Sequence, residues 1–412
     1  MLLRDIFPKN EHFRVTMYSC SILGLWPFVF PKNPLYQKMY FRYSKFIYIF
    51  TWLFLSTYVV QLIKLLLDEV IFVEEIMRNV SITAIQSLSL IRAYALKSKR
   101  SKNMINEVLS TEKRILGSQN SGVIGIYNEF AKKNNSFITI YMASMVLDTC
   151  FFVIYPLCAP PIEIFYPTRN ETVTKRMLML SAWFPFDEQK HYMAAYLFQF
   201  SCGPITEFYI ILSDALTIGL VIYAIGQFRI LNELFANFDK YAIQVQNQLK
   251  CSKEEACLTA LRECTIMHKK MLSFIDDFND VMGNIMVLDF LQSSFQLASI
   301  VLQVLTTKVT LINFLLGFQF ALSMVMRLLI YYWCANEIIV ESSRISVSIY
   351  NSCWYEQPEV VKKSLLLLMQ RCNKPCTLEI GSFGIMSLET FISIMRATYS
   401  FITLIYNVNN EK

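Results

Sequence analysis

HYMAAYLFQFSCGPITEFYIILSDALTIGLVIYAIGQ occupies residues 191–227 and is apolar along nearly its whole length. A transmembrane helix needs about 20 such residues, and about 35 residues at 1.5 Å each extend well beyond a bilayer. Residues 228–278, which follow, are more polar and carry a heptad-like apolar pattern that includes Leu231, Phe235 and Phe238. This pattern predicts that the helix continues out of the membrane into water.

Six further stretches are long and apolar enough to cross a membrane as helices. They are residues 46–67, 70–96, 136–158, 281–305, 311–339 and 386–408. Helices and closed barrels alone can span a bilayer, because they satisfy all their backbone hydrogen bonds internally. The sequence therefore predicts an all-α, polytopic membrane protein with seven transmembrane helices.

Composition supports this class and excludes several others. Hydrophobic residues make up 54% of the 412 residues and charged residues 17%, against about 45–50% and about 25% in soluble domains. The net charge of +6 is dispersed, unlike the basic patch of a nucleic-acid-binding protein. The sequence has no phosphate-binding loop, dinucleotide fingerprint, nucleophile elbow or zinc-ligand spacing, so we expect neither an enzyme nor a bound metal or cofactor.

Lysine and arginine are divided unequally between the two sides of the predicted membrane. If the N-terminus is cytoplasmic, the inside segments hold 27 basic residues and the outside segments hold 7. Because positive loops stay in the cytoplasm, we expect the N-terminus inside and the C-terminus, after seven crossings, outside. Asn170 then begins an Asn-Glu-Thr glycosylation sequon in the second outer loop.

The expected organisation has three parts. Residues 1–45 form a cytoplasmic N-terminal segment with a re-entrant or interfacial helix, since the apolar run 17–30 is short and broken by Pro27. Residues 46–340 hold the first six transmembrane helices and the long cytoplasmic extension. Residues 341–412 hold a polar-faced helix and the last transmembrane helix.

Two familiar membrane classes fit this pattern poorly. A receptor coupled to G proteins has its N-terminus outside and an Asn-Pro-x-x-Tyr motif in its seventh helix, but the last span here contains no proline. A transporter usually shows two related halves, and these seven spans contain no visible repeat.

Charged residues inside the predicted spans are costly in lipid and usually face protein or water. Glu207, Asp289 and Arg327 lie at similar predicted depths on the fourth, fifth and sixth spans. They predict an intramembrane charge cluster that ties these helices together. In the alternative, each side chain reaches separately toward the cytoplasmic interface.

Five short motifs resemble those of the insect odorant receptors. They are LGLWP at 23–27, WFPFD at 183–187, YNSCWY at 350–355, MSLETF at 386–391 and YSFITL at 399–404. Each motif is weak alone, but their order within an inverted seven-helix topology is specific. The chain therefore resembles the members of this family.

The resemblance implies a subunit of a ligand-gated, non-selective cation channel in the plasma membrane of olfactory sensory neurons. The ligand would be a small, volatile, apolar odorant. The chain lacks the long second cytoplasmic loop of the co-receptor Orco, so it resembles the ligand-selecting subunit that assembles with Orco in a heterotetramer. A gustatory-type or other seven-helix chemoreceptor is the alternative, although Ile405-Tyr406 stands where gustatory receptors carry Gln-Phe.

The resemblance also implies where the ligand binds and where ions pass. The odorant pocket would lie in the outer half of the bundle, with an apolar and aromatic lining suited to a volatile ligand. Its candidates are Met77, Ser81, Ile85, Met145, Thr149, Phe152, Val153, Tyr192, Tyr196, Gln199, Phe314 and Phe318. The seventh helix would be split into a cytoplasmic anchor helix and a pore-lining part, with pore and gate candidates Ser400, Thr403, Leu404, Ile405 and Asn407.

Overall fold

The computed structural model describes the backbone of residues 11–25, 34–68, 73–118, 120–158, 161–166, 171–306 and 311–410. Side chains are described over the same ranges except at 34, 73–74, 162–166, 171, 173, 301–306, 311–316, 401–402 and 404–410. Within these ranges the chain forms eleven α-helices and one β-hairpin. The helices are α1 Arg14–Ile22, α2 Pro34–Leu67, α3 Val73–Leu96, α4 Lys99–Leu116, α5 Ser121–Cys158, α6 Tyr192–Ala236, α7 Phe238–Leu249, α8 Lys253–Thr306, α9 Leu311–Tyr350, α10 Glu359–Cys372 and α11 Leu388–Asn410.

Each predicted span lies on one long helix: α2, α3, α5, α6, α8, α9 and α11 in chain order. Several of these helices extend past the predicted spans, because polar turns continue a helix without adding to its hydropathy. Among the described side chains, four helices are long and apolar enough to cross a membrane. These four segments are Leu35–Leu67, Ser121–Cys158, Tyr192–Ala236 and Gly317–Tyr350.

Helix α6 is the centre of the bundle. Every residue from Tyr209 to Phe228 is buried, because α3, α5, α8 and α9 all pack against this helix. A helix that is apolar on all sides is expected at such a position. Residues 191–227, which indicate the fold, therefore lie on the helix that the other helices surround.

The extension at 228–278 is not the single continuous helix that the heptad-like pattern predicts. α6 ends at Ala236, and α7 begins after Asn237. α7 ends at Leu249, and the next residue, Lys250, has a φ of 52° that turns the chain toward α8. α7 then packs against α8, so the apolar stripe is covered within the chain by a helical hairpin.

The connection between α5 and α6 contains a β-hairpin that the sequence pattern did not predict. Strands β1, Ile162–Tyr166, and β2, Glu171–Lys175, pair antiparallel with Ile164 opposite Val173. Each strand has five residues, which is too short to stand out in a search for spans of about 20 residues.

The last two helices are separated by a tight turn. After α10 the chain forms an isolated bridge between Glu379 and Ile385, and α11 begins at Leu388. Gly381 in this turn has a φ of +48°, and a Cβ there would lie 2.7 Å from Cγ2 of Val287 on α8. The turn thus needs glycine for both its backbone conformation and its close contact.

The N-terminal segment packs into the bundle through α1. Met17 and Cys20 are buried, and α1 contacts α5 and α6. The ring nitrogen Nε2 of His12 lies 2.8 Å from the carbonyl oxygen of Gly219 on α6. Helix α1 covers part of the apolar run predicted at 17–30, and residues 26–30 lie outside the described part of the chain.

Candidate ligand-binding site

A cavity lies between six of the long helices and the loop that follows β2. Its empty volume is about 930 Å³, including the part open to the outside. Helices α2, α3, α5, α6, α8 and α9 all contribute to its wall. The lining residues are Tyr58, Ile82, Ile85, Gln86, Tyr141, Met145, Asp148, Thr149, Phe152, Met179, Leu180, Gly203, Pro204, Thr206, Glu207, Ile210, Gln296, Phe320, Ser323, Met324 and Arg327.

Four of the predicted pocket residues lie in this wall: Ile85, Met145, Thr149 and Phe152. Phe152 meets the ring of Phe320 edge to face, with ring centroids 5.5 Å apart. Together these side chains make an apolar, aromatic surface that would suit the hydrocarbon part of a ligand.

Three other predicted pocket residues support the wall instead of lining it. The hydroxyl of Tyr196 donates to the carbonyl oxygen of Val153 at 2.9 Å, and that of Tyr192 donates to the carbonyl oxygen of Met177 at 3.0 Å. Gln199 accepts from the backbone N–H of Leu180 and donates to its carbonyl oxygen. These bonds fasten α6 to α5 and to the loop 176–191.

The remaining predicted pocket residues are not part of the cavity wall. The side chains of Met77 and Val153 are half-buried, Ser81 is buried, and Phe318 is exposed. The side chain of Phe314 lies outside the described part of the chain. A helix position predicted by depth alone carries no information on the direction in which the side chain points, which explains these misses.

Four charged residues form an ion-pair cluster next to the cavity: Arg92, Asp214, Asp289 and Arg327. The Nε of Arg327 lies 2.7 Å from Oδ2 of Asp214, and its Nη2 lies 2.5 Å from Oδ1 of Asp289. Arg92 contacts the same two carboxylates, with Nη2 3.0 Å from Oδ1 of Asp289. All four residues are at most 4% exposed.

Two tyrosines complete the hydrogen bonding of this ion-pair cluster. The hydroxyls of Tyr141 and Tyr331 each donate to Asp214 at 3.0 Å. The cluster joins α3, α5, α6, α8 and α9 and carries equal numbers of positive and negative charges. Buried charges require this kind of pairing, because an unpaired ion in such a place costs several kcal/mol.

The predicted charge cluster therefore needs a correction in one of its members. The structure brings Arg327 and Asp289 together, but the acidic residue of α6 in the cluster is Asp214 instead of Glu207. Glu207 lies seven residues earlier, two helical turns away on the same face, and lines the cavity. Arg92 and Asp214 were missed as members of the cluster, although both lie within predicted spans.

The predicted pore residues lie on α11. The side chain of Ser400 is exposed and that of Thr403 is half-buried, with the Thr403 hydroxyl donating to the carbonyl oxygen of Ser400 at 2.9 Å. The side chains of Leu404, Ile405 and Asn407 fall outside the described set, as does the whole of Asn170.

Among the described residues, no group of three or more His, Cys, Asp or Glu side chains could hold a metal ion.

The sequence model of the 7tm Odorant receptor family matches residues 72–399. This match includes the ion-pair cluster, every cavity-lining residue except Tyr58, and α11 as far as Tyr399. The chain therefore belongs to the odorant receptor family, as its motifs indicated.

Two curated relatives are mosquito odorant receptors. Odorant receptor Or2 of Anopheles gambiae is 28% identical over 150 residues, which are 36% of this chain and 39% of that receptor. Odorant receptor 10 of Aedes albopictus is 28% identical over 145 residues, which are 35% of this chain and 38% of that receptor. The aligned part of this chain thus spans less than two-fifths of either relative.

The fold is similar to that of a solved insect olfactory receptor, OR5 from Machilis hrabei in complex with eugenol. The two structures agree with a TM-score of 0.74 over 95% of this chain and 97% of that chain, at 15% identity. This likeness concerns the fold. It confirms the prediction of an all-α, seven-helix membrane protein.

Proposed function

We propose that this chain is the odorant-binding subunit of a ligand-gated, non-selective cation channel. In this proposal it assembles with the co-receptor Orco as a heterotetramer in the plasma membrane of olfactory sensory neurons. A small volatile ligand enters the cavity and contacts Ile85, Met145, Thr149 and Phe152. The N-terminus is cytoplasmic, and Asn170 lies outside the cell, where it can be glycosylated.

The observation that carries the channel part of this proposal is the polar face of α11. Ser393, Arg396 and Ser400 are exposed and recur at spacings of three and four residues, so they share one face of the helix. Thr403 and Asn407 continue the same spacing. Helix α11 packs against α8 and α9, and Ile394 is buried.

Within a membrane, a polar stripe of this kind needs water or polar groups from another subunit. Hydroxyl and amide side chains suit an ion path, and Leu404 or Ile405 would suit a constriction that closes by expelling water. Both features support a pore that several copies of α11 enclose together.

The decisive experiment is co-expression with Orco in oocytes, with currents recorded while odorants are applied. We expect odorant-evoked cation currents that require both subunits. A response that needs G proteins and does not need Orco would contradict the proposal.

Cysteine substitution tests the pore face of α11 in the same assay. We expect a charged, thiol-specific reagent to reduce the current of Ser400→Cys. Ile394→Cys is the matched control, because residue 394 is buried on the same helix. Equal sensitivity of the two variants to the reagent would contradict a pore on the Ser400 face.

A further inference from the structure

The cavity holds two carboxyl groups that lack a basic partner among the residues that the structure describes. Asp148 on α5 is 5% exposed, and its Oδ1 accepts a hydrogen bond from Nε2 of Gln319 at 3.0 Å. Its Oδ2 is buried and has no hydrogen-bond partner among the described residues. Glu207 on α6 lines the same cavity, and no ion pair joins either carboxyl group to a described basic side chain.

Arg327 also lines the cavity, but two carboxylates already balance its charge. Its Nε and Nη2 contact Asp214 and Asp289, and its Nη1 donates to the hydroxyl of Ser293. Because Arg92 shares the same two carboxylates, the ion-pair cluster is neutral by itself. Asp148 and Glu207 therefore leave the cavity with an excess of acidic groups.

A second polar atom in the cavity wall is also unpaired. The Nε2 of Gln86 is buried without a hydrogen-bond partner in the described part of the chain, and the residue is 2% exposed. Buried polar atoms almost always have a partner, from protein, water or ligand. The unpaired Oδ2 of Asp148 is an acceptor, so it indicates an occupant of the cavity that donates a hydrogen bond. Nε2 of Gln86 is itself a donor, and it gives no support to a cationic occupant.

We propose that the cavity binds a small volatile amine. The ammonium group lies between the Asp148 and Glu207 carboxylates, and its hydrocarbon tail packs on the apolar wall that includes Met145 and Phe152. An ammonium supplies a positive charge and three donors, so it can serve both acids through charge-assisted hydrogen bonds. An alcohol supplies one donor and no charge, and a carboxylate would be repelled by the two acids.

This inference rests on the proposed odorant site, but it can be tested without any current. The full-length protein is purified in detergent, and its thermal unfolding is measured with increasing n-hexylamine, n-hexanol or hexanoate. A ligand that binds the folded state raises the melting temperature. We expect hexylamine to act at concentrations about 10-fold lower than hexanol, because charge-assisted hydrogen bonds are roughly twice as strong as neutral ones. We expect no stabilisation by hexanoate.

Substitutions then test whether Asp148 and Glu207 cause the preference for the amine over the alcohol. The single variants Asp148→Asn and Glu207→Gln should each weaken hexylamine binding and leave hexanol binding nearly unchanged. Asp280→Asn is the matched control, since that carboxylate is exposed on α8 and pairs with Arg100. It should keep the full preference for the amine.

The outcomes separate this inference from the proposed function. Hexanol that binds as tightly as hexylamine to the wild type overturns the amine inference, even if the variants do not fold. An amine preference that survives both substitutions overturns it as well. Amine binding without any current in complex with Orco contradicts the channel proposal alone, whereas currents evoked by neutral odorants without an amine preference contradict the amine inference alone.

Discussion

Arg327 is tolerated inside the helix bundle because two carboxylates and a second arginine balance its charge. Its guanidinium contacts both Asp214 and Asp289. Arg327→Ala would leave two acids facing Arg92 alone, and breaking a buried pair in this way costs about 3–5 kcal/mol. We expect strongly reduced surface expression and a lower melting temperature in detergent.

Arg100→Ala is the matched control for this substitution. Arg100 forms an ion pair with Asp280, but both side chains are 58% exposed. Exposed pairs contribute about 0–1 kcal/mol, so surface expression should remain normal. Normal expression and normal currents in Arg327→Ala would show that the ion-pair cluster is dispensable.

The sequence predicted how deep in the membrane these charged residues lie, but not which side chains they pair with. Glu207 and Asp214 lie on nearly the same face of α6, two turns apart. A depth counted from an assumed helix start, without knowledge of tilt, cannot choose between them. The same limit affected the pocket, where Tyr192 and Gln199 have suitable depth but hold the wall together through hydrogen bonds.

The turn between α10 and α11 depends on Gly381. Alanine there would need a left-handed backbone and would lie too close to Val287, so we expect destabilisation of about 1–3 kcal/mol. Gly125 on α5 is the control, because a Cβ there would meet no atom within 4 Å. Gly125→Ala should instead stabilise the helix by about 0.5–1 kcal/mol. Thermal unfolding of both purified variants tests the contrast, and equal effects would refute it.

His268 makes the pairing of α8 with α10 sensitive to acid. Burial, assisted by the charge of Arg371, lowers the pKa of His268 to about 4 from 6.5. Its Nε2 lies 3.8 Å from Sγ of Cys372 on α10. The unfolded chain therefore binds a proton between pH 6.5 and 4 that the folded chain does not, and stability falls as the pH drops through that range.

We expect His268→Gln to flatten this part of the pH profile of the melting temperature. Lys269→Gln, at the exposed neighbouring position, should keep the wild-type slope. An unchanged slope in His268→Gln would mean that other groups cause the loss of stability in acid.

Single elements were predictable where one physical pattern dominates. The α10 region is a short amphipathic helix, and the structure gives it as Glu359–Cys372. At 228–278 the apolar pattern was correct but the number of helices was wrong. The break at Lys250 depends on one residue with positive φ, and a lysine carries no signal for that conformation.

The number of membrane-spanning helices follows from hydropathy more directly than the assembly of subunits does. Seven long apolar stretches require seven helices in a bilayer, whereas contacts between subunits depend on surfaces that a single chain leaves exposed.

The side of the membrane on which each terminus lies is a prediction about the whole molecule. An epitope tag after Lys412 should be stained on intact cells, given the basic residues of the loops. Staining only after permeabilisation would reverse the orientation.

Widening the proposed pore constriction should make the channel leak. Leu404 lies on the stripe of Ser400 and Asn407, at spacings of four and three residues, whereas Ile405 is rotated by about 100° from Leu404. A ring of large apolar side chains closes a narrow path by expelling water, so Leu404→Ala should raise the current without odorant.

Asn407→Asp adds a carboxylate to the same stripe and should shift permeability toward divalent cations. Both variants are measured after co-expression with wild-type Orco. In the proposed heterotetramer, the Orco subunits would supply the rest of the ring and reduce the size of each effect. Ile405→Ala is the control within the helix and should change the basal current less than Leu404→Ala. Unchanged basal current and selectivity across substitutions at Ser400, Leu404 and Asn407 would mean that another face of α11, or another helix, lines the ion path.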